Sequence, residues 1–289
     1  MGQNVFQHIG EQVPRMSKAQ TKIASYILEN QHSAPFLTVG KLAKLSKVSE
    51  ATIVRFATFL GFSGYNEFQQ AMYDSVEKQL NTVERLQMSR SVYSEAEKSI
   101  YEVFEDDMAN IQATMETLAV ADMKKAAQLI MNAKNVYIIA NRSAVSLGVF
   151  LQYYLEIITG KSKLIDSSEL AFEQMYQVSH EDVIIGISFA RYTKRTIDIV
   201  SHAKKRDVKV IAITDSLLSP ITQYATVSLI ASSKMPSFFD SFVAPLSLIN
   251  ALIAYIGHQQ QDAINKRLEK LEHVWDEYGV FYKNNNPVK

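Results

Sequence analysis

Between Asn135 and Ile230, five short apolar runs alternate with longer segments of helical period. The runs are Val136–Ala140, Ser162–Ile165, Asp182–Ser188, Val208–Thr214 and Thr226–Ile230. Ala144–Ile158 (closed by Gly160), Glu169–Val178, Lys194–Lys205 and a short helix opened by Ser219-Pro220 lie between them. Ser241–His258 and a final amphipathic segment, about 260–283 with Leu268, Leu271 and Trp275, follow. A strand apolar on both sides must be covered on both sides, and a helical crossover between strands makes them parallel. The pattern therefore predicts an α/β fold: a five-stranded parallel sheet, flavodoxin-like, with helices on both faces. In strand order 2-1-3-4-5, the ligand crevice falls where the first and third strands diverge at their carboxyl ends.

The first third of the chain reads as all-α. Val5, Phe6 and Ile9 begin one helix. Ser17 can cap a second that buries Ile23, Ala24, Ile27 and Leu28, and Pro35 sits in the loop that follows. From Thr38 two short helices are expected around a tight turn at Ser46-Lys47-Val48. Leu42, Ala43 and Leu45 make the apolar face of the first. Ser49 is placed to cap the second through its hydroxyl. Ile53, Phe56 and Leu60 recur at helical spacing and face inward, and Gly61 stops the helix. Another helix starts near Tyr65.

The outward face of the second short helix carries Ser49, Glu50, Thr52 and Arg55. Short polar groups with one guanidinium suit a helix lying in a DNA major groove. Lys41, Lys44 and Lys47 cluster near the turn, where phosphate attracts cations. An ordinary helical hairpin would share the apolar period, so the polar face and the lysines carry the DNA reading. Lys47, Ser49, Glu50, Thr52 and Arg55 are the expected DNA-binding residues.

At the switch point of the sheet lie Asn141-Arg142-Ser143 and Ser188-Phe189-Ala190-Arg191-Tyr192-Thr193. Each loop leads into a helix whose free N–H groups favour an anion. Both contain an arginine, and they supply three aliphatic hydroxyls, Ser143, Ser188 and Thr193. The simpler reading is that Ser143 and Thr193 cap helices and the arginines are surface charges. Their coincidence on both loops favours an anionic ligand held by Arg142, Ser143, Ser188, Arg191, Tyr192 and Thr193.

Formal net charge is zero over 289 residues, but it is unevenly placed. Residues 1–72 hold seven Lys and Arg against four Glu, a net +3, so the remainder carries −3. The absence of cysteine excludes disulfides and cysteine–metal sites and fits a reducing cytoplasm. Six histidines lack metal-ligand spacing, so neither a metal nor a cofactor is expected. The apolar run 242–256 contains Pro245, Ser247 and Asn250 and is read as a buried helix, not a membrane span. Phe104, Met108, Ile111, Met115 and Leu118 mark one or two amphipathic helices over 104–131, their apolar side core or dimer surface.

The segment 38–65, through Leu60-Gly61-Phe62-Ser63-Gly64-Tyr65, resembles the helix-turn-helix of the RpiR/MurR family of bacterial regulators. Residues from about 120 to 258 are similar to the sugar isomerase (SIS) domain. That domain holds phosphosugars at a Ser-x-Ser-Gly-x-Thr loop and a Gly-rich loop after its first strand. Ser188 and Thr193 stand at the first Ser and the Thr, and Ser143 supplies the first-loop hydroxyl. Ala190 and Arg191 replace the family's Ser and Gly, and Ala140-Asn141-Arg142 replaces Gly-x-Gly. The loops are thus bulkier and more basic than the usual phosphosugar cradle.

The resemblance implies a helix-turn-helix DNA-binding domain over 1–78, a helical connector over 79–106 and a SIS ligand-binding and oligomerisation domain over 107–289. It implies a cytoplasmic regulator whose partners are double-stranded operator DNA, a phosphosugar or other anionic effector, and further copies of itself as a homodimer or homotetramer. No catalytic residue is assigned. A sugar-phosphate isomerase with an accessory helical domain would need a general base, for which Glu169, Glu173 and His180 are available. A third possibility is an architectural DNA-binding protein whose α/β half only oligomerises.

Overall fold

The computed structural model describes residues 5–76, 81–93, 96–165, 171–235, 237–259 and 261–282. They form two compact units, residues 1–117 with 231–244, and residues 118–230 with 245–289.

The first unit is helical. It begins with α1 (Val5–Gln12) and α2 (Lys18–Glu29). Ser17 and Gln20 close a reciprocal capping box at the start of α2. Then come α3 (Val39–Ser46), α4 (Glu50–Phe59) and α5 (Tyr65–Val76). Ile9, Ile23, Ile27, Leu42, Ile53, Phe56, Phe68 and Met72 are fully buried in one core. Phe56 and Phe68 meet edge to face at 5.7 Å. Tyr65 and Gln69 both donate to the Leu37 carbonyl, which ties α5 to the segment before α3.

Leu45 departs from expectation. It is 47% exposed, and Ser46 is buried in its place. At 100° per residue, positions 42, 46 and 43 span one narrow face, whose centre lies roughly 100° from position 45.

Two more helices belong to this unit, α6 (Thr82–Val92) and α7 (Ala96–Thr117). They include the expected connector, of which residues 79, 80, 94 and 95 lie outside the described residues. Within this stretch a polar side chain finds its partners in the segment 231–244. Arg85, nearly buried, pairs with Asp240 at 2.6 Å and donates to the Phe239 carbonyl.

The second unit starts with α8 (Val120–Asn132) and alternates β1 (Val136–Ala140), α9 (Val145–Thr159), β2 (Ser162–Ile165) and α10 (Ala171–Tyr176). It continues with β3 (Val183–Ile187), α11 (Lys194–Lys205), β4 (Lys209–Thr214) and β5 (Val227–Ile230). Helices α12 (Val243–Gln259) and α13 (Gln261–Glu277) close it. All strand pairs are parallel, in the order β2-β1-β3-β4-β5. The α/β class and the switch point between β1 and β3 are as the sequence predicts.

Tyr137, Ile139, Ile184, Val210 and Ala212 share one core with Met175 of α10 and Ile199, Val200 and Ala203 of α11. On the other face Gly148 lets α9 approach. A Cβ there would lie 2.9 Å from both Ala140 Cβ and Leu164 Cδ1. At the amino end of the sheet, Asp182 accepts from the backbone and side chain of both Asn135 and Ser179. Burial pushes its carboxyl up, but these bonds outweigh that and hold it below the usual range. Ser219-Pro220 does not open an α-helix. A turn there leads into a single 3₁₀ turn, Thr222–Tyr224, because the Thr222 hydroxyl bonds back to Leu217 and Ser219 carbonyls. Among the described residues no helix is long and apolar enough to cross a membrane.

Candidate functional site

In the helical unit, α3 and α4 make the expected helix-turn-helix. Both helices end in the same way. The N–H of Val48 reaches back to the Ala43 carbonyl and that of Phe62 to the Ala57 carbonyl. Lys47 and Gly61, one residue before each, take positive φ of 56° and 93°. These are Schellman closures, and a lysine at the left-handed position of the first is unusual. The bond pattern fixes the tight turn that lays α4 across α3.

Lys47, Ser49, Glu50 and Arg55 are exposed and Thr52 is half-buried, all on or beside the outer face of α4. Ser49 occupies the N-cap position, but its hydroxyl does not cap a backbone N–H. It pairs instead with the Thr52 hydroxyl at 2.8 Å. Arg55 Nε donates to the Ala51 carbonyl at 3.2 Å, which steadies the exposed guanidinium along the helix. The Glu50 carboxylate leans back toward Gly40 near the start of α3, where the helix dipole favours it.

Lys41 is withdrawn from the expected basic cluster. Its ammonium lies 3.5 Å from Asp106 Oδ1 on α7 and 5.1 Å from the centre of the Tyr93 ring. Burial raises the Asp106 carboxyl above its usual range, while Tyr93 and Lys41 pull the other way. Lys44 and Lys47 remain exposed.

In the sheet unit the expected ligand loops leave the carboxyl ends of neighbouring strands. Ala140, Ile187 and Ile213 occupy one register row across β1, β3 and β4. The next residues, Asn141, Ser188 and Thr214, are polar and buried. Strands are spaced about 4.8 Å apart, so these three form a continuous polar floor. Asn141 was not among the expected ligand residues. Its Nδ2 donates to Thr196 Oγ1 in the first turn of α11 at 2.9 Å. Its Oδ1 is buried with no partner among the described residues. Such an acceptor is costly to leave unpaired and suits a ligand hydroxyl or N–H. Asp215 was also missed. It accepts from Thr214 Oγ1 at 3.0 Å and from the Tyr192 hydroxyl at 3.3 Å.

Above this floor, Arg142 and Arg191 are both exposed and both left-handed, with φ of 56° and 60°. These are the positions where the SIS resemblance implies glycine. The backbone keeps the glycine conformation and adds a guanidinium. Strained backbone of this kind clusters at functional sites. Ser143 lies exposed inside a 3₁₀ turn, Arg142–Ala144. Thr193 holds the N-cap position of α11 without a side-chain cap bond. Capping therefore accounts for neither hydroxyl. The N–H groups of the first turn of α11 complete an anion-favouring end.

Three residues were available as a base for isomerase chemistry. His180 precedes β3 at the amino end of the sheet, and Glu173 is exposed on α10. Glu169 lies outside the described residues. Among the described residues no cluster of His, Asp or Glu could hold a metal.

Residues 3–79 match the helix-turn-helix domain of the rpiR family, and residues 129–255 match the SIS domain. Two curated relatives run nearly the full length. An HTH-type transcriptional regulator of Haemophilus influenzae is 23% identical over 94% of this chain and 96% of its own. Another, from Caldanaerobacter subterraneus subsp. tengcongensis, is 25% identical over 92% of this chain and 95% of its own. The fold is shared with solved structures. The sugar isomerase domain of an RpiR transcription factor from Sphaerobacter thermophilus superposes with a TM-score of 0.58 at 22% identity. It covers 60% of this chain and 97% of its own. Vibrio vulnificus NanR, solved with ManNAc-6P, superposes at 0.55 and 22% identity over 95% of this chain and 99% of its own.

A helix-turn-helix unit joined to a SIS sheet defines a DNA-binding transcriptional regulator. By its two domains the chain belongs to the RpiR family.

Proposed function

We propose that this regulator binds operator DNA through α4 as a homodimer and releases or engages it in response to a phosphorylated sugar or related anion. Residues 1–78 supply the DNA-binding part, and the sheet unit supplies the effector site. Arg55, Ser49 and Thr52 face the groove, Glu50 closes the start of α3 beside it, and Lys47 meets phosphate. Symmetric half-sites require two recognition helices held one DNA turn apart, which a dimer provides. The protein works in the cytoplasm and does not turn its ligand over.

One observation carries the effector reading. Both switch-point loops hold an arginine in a left-handed backbone, above a buried polar floor with an unpaired acceptor. The arginines grip the anionic group bidentately, and Ser188 and Thr193 donate to it. Asn141 Oδ1 accepts from a ligand hydroxyl or amide N–H. Effector binding then shifts the spacing of the recognition helices. A coupling of about 1–3 kcal/mol changes DNA affinity roughly 5- to 150-fold.

The test is a panel of hexose 6-phosphates, amino-sugar 6-phosphates and phosphorylated sugar acids. Each is read by thermal shift, by release of duplex DNA from the gene's own upstream region, and by product formation. Binding that changes DNA affinity without turnover supports the regulator. Turnover would make the protein an isomerase. Neither binding nor turnover would leave a DNA-binding protein whose sheet unit serves assembly alone.

A further inference from the structure

Helix α7 is built inside out. Tyr101, Phe104, Met108, Ile111 and Met115 are 74%, 64%, 61%, 37% and 62% exposed. On its other side Asp106, Asn110 and Thr114 are buried, each a turn above the last. The polar side is the internal one because every member has a partner within the helical unit. Asp106 accepts from the Tyr93 hydroxyl at 2.7 Å and faces Lys41. Asn110 donates to the Lys234 carbonyl and accepts from the Ser232 hydroxyl, both at 2.6 Å. Thr114 accepts from the Ser232 N–H at 2.9 Å. Rolling the apolar side inward would strip all of these bonds. The apolar stripe is therefore fixed outward.

The spacing of the stripe points to what covers it. Positions 101, 104, 108, 111 and 115 step by three, four, three and four. These are the a and d positions of a heptad seam of two helices packed knobs into holes, with exposed Ile100 flanking it. We propose that α7 is the surface on which two copies of this chain meet, antiparallel about a two-fold axis crossing the helix between Ala109 and Asn110. The proposal rests on the reading above that the regulator is a dimer, and it names the residues that make it one.

In this pairing Met108 of one copy meets Ile111 of the other, and Phe104 meets Met115. The charges fit as well. Glu105 and Asp107, which flank the stripe, fall level with Thr114 and Gln112 and so meet no acid, while Asp106 stays on the buried side. A parallel pairing would bring Glu105 and Asp107 level with their own copies. Five large side chains, exposed as these are, would bury roughly 1,000 Å² over two copies, about what a specific interface needs.

The test is sedimentation of the full chain at micromolar concentration. Wild type is compared with Phe104→Glu/Met108→Glu and with Val149→Glu/Tyr153→Glu, which alters the exposed side of α9 instead. Far-UV circular dichroism confirms the helical content of each. The α7 variant should sediment at half the wild-type mass, with at least a hundredfold weaker self-association, while the α9 variant keeps the dimer. If the double α7 variant loses helicity, Met108→Lys, at the central layer, gives the same reading. An α7 variant that keeps wild-type mass overturns the seam and leaves the dimer reading standing. A wild-type protein that is monomeric overturns both.

Discussion

Replacing Arg191 by glycine separates what its backbone does from what its charge does. At φ 60° a side chain costs about 1–2 kcal/mol relative to glycine. Glycine in turn gives the unfolded chain extra freedom worth about 0.4–1 kcal/mol. The difference leaves Arg191→Gly between neutral and about 1.5 kcal/mol more stable. For a unit of this size that is a melting temperature between unchanged and about 5 °C higher. The residue is exposed, so the polar contacts of its side chain are screened by solvent and contribute little to stability. Binding moves the other way. Losing one charge-assisted contact to an anion costs about 1.5–3 kcal/mol, roughly a ten- to hundredfold loss of affinity. Arg191→Ala keeps the backbone strain and removes the charge, so it should bind as weakly as the glycine variant while melting lower. Calorimetric titration of both variants with the phosphosugar and sugar-acid panel, beside their melting curves, measures the two effects separately. A gain of affinity in Arg191→Gly would refute the reasoning. It would mean that the arginine fills the phosphate position and that an ordinary glycine cradle lies beneath it.

Three further outcomes are expected. Arg55→Ala should lose about 1–3 kcal/mol of specific DNA binding at matched salt with unchanged circular dichroism; undiminished binding would place another face of the hairpin in the groove. Gly148→Ala should lower stability by about 1–3 kcal/mol in thermal unfolding, since its methyl would sit 2.9 Å from Ala140 and Leu164 and push α9 off the sheet. Asp182 has a lowered carboxyl pKa in the fold, so its stabilisation is present at neutral pH, above the unfolded value, and is lost as pH falls through the folded one. Asp182→Asn should therefore be less stable than wild type at pH 7, with a gap that narrows on acidification; a gap constant with pH would show that the carboxylate charge contributes nothing.

Much of the architecture could be read from local pattern. A run such as Val136–Ala140, apolar at every position, has no solvent face to offer, so the sheet and its two covering layers followed directly. Lys194–Lys205 was delimited to the residue, because Thr193 and the basic last turn mark both ends. The hairpin core of Leu42, Ile53 and Phe56 was legible for the same reason: helical period places those residues on one side whatever they pack against.

Period says which residues share a face, but not which face turns inward. Helix α7 shows the limit. Its apolar stripe was visible in the sequence, yet the buried side is the polar one, because Ser232 and Lys234, more than a hundred residues away, supply its hydrogen bonds. Lys41 likewise reads as a phosphate-facing lysine until Asp106 is brought against it. Local bonds also chose between near-equal options at Ser49, whose hydroxyl pairs with Thr52 instead of the backbone. At the candidate effector site, the sequence by itself determined that two arginines stand where glycines are usual. Only the tertiary structure decided that Arg142 and Arg191 keep the glycine backbone and that Asn141, its amide held by Thr196, leaves an acceptor buried and open. Those outcomes depend on strand register and on a helix packed 55 residues further along, and a hydrogen bond across that separation leaves no periodic trace in the chain.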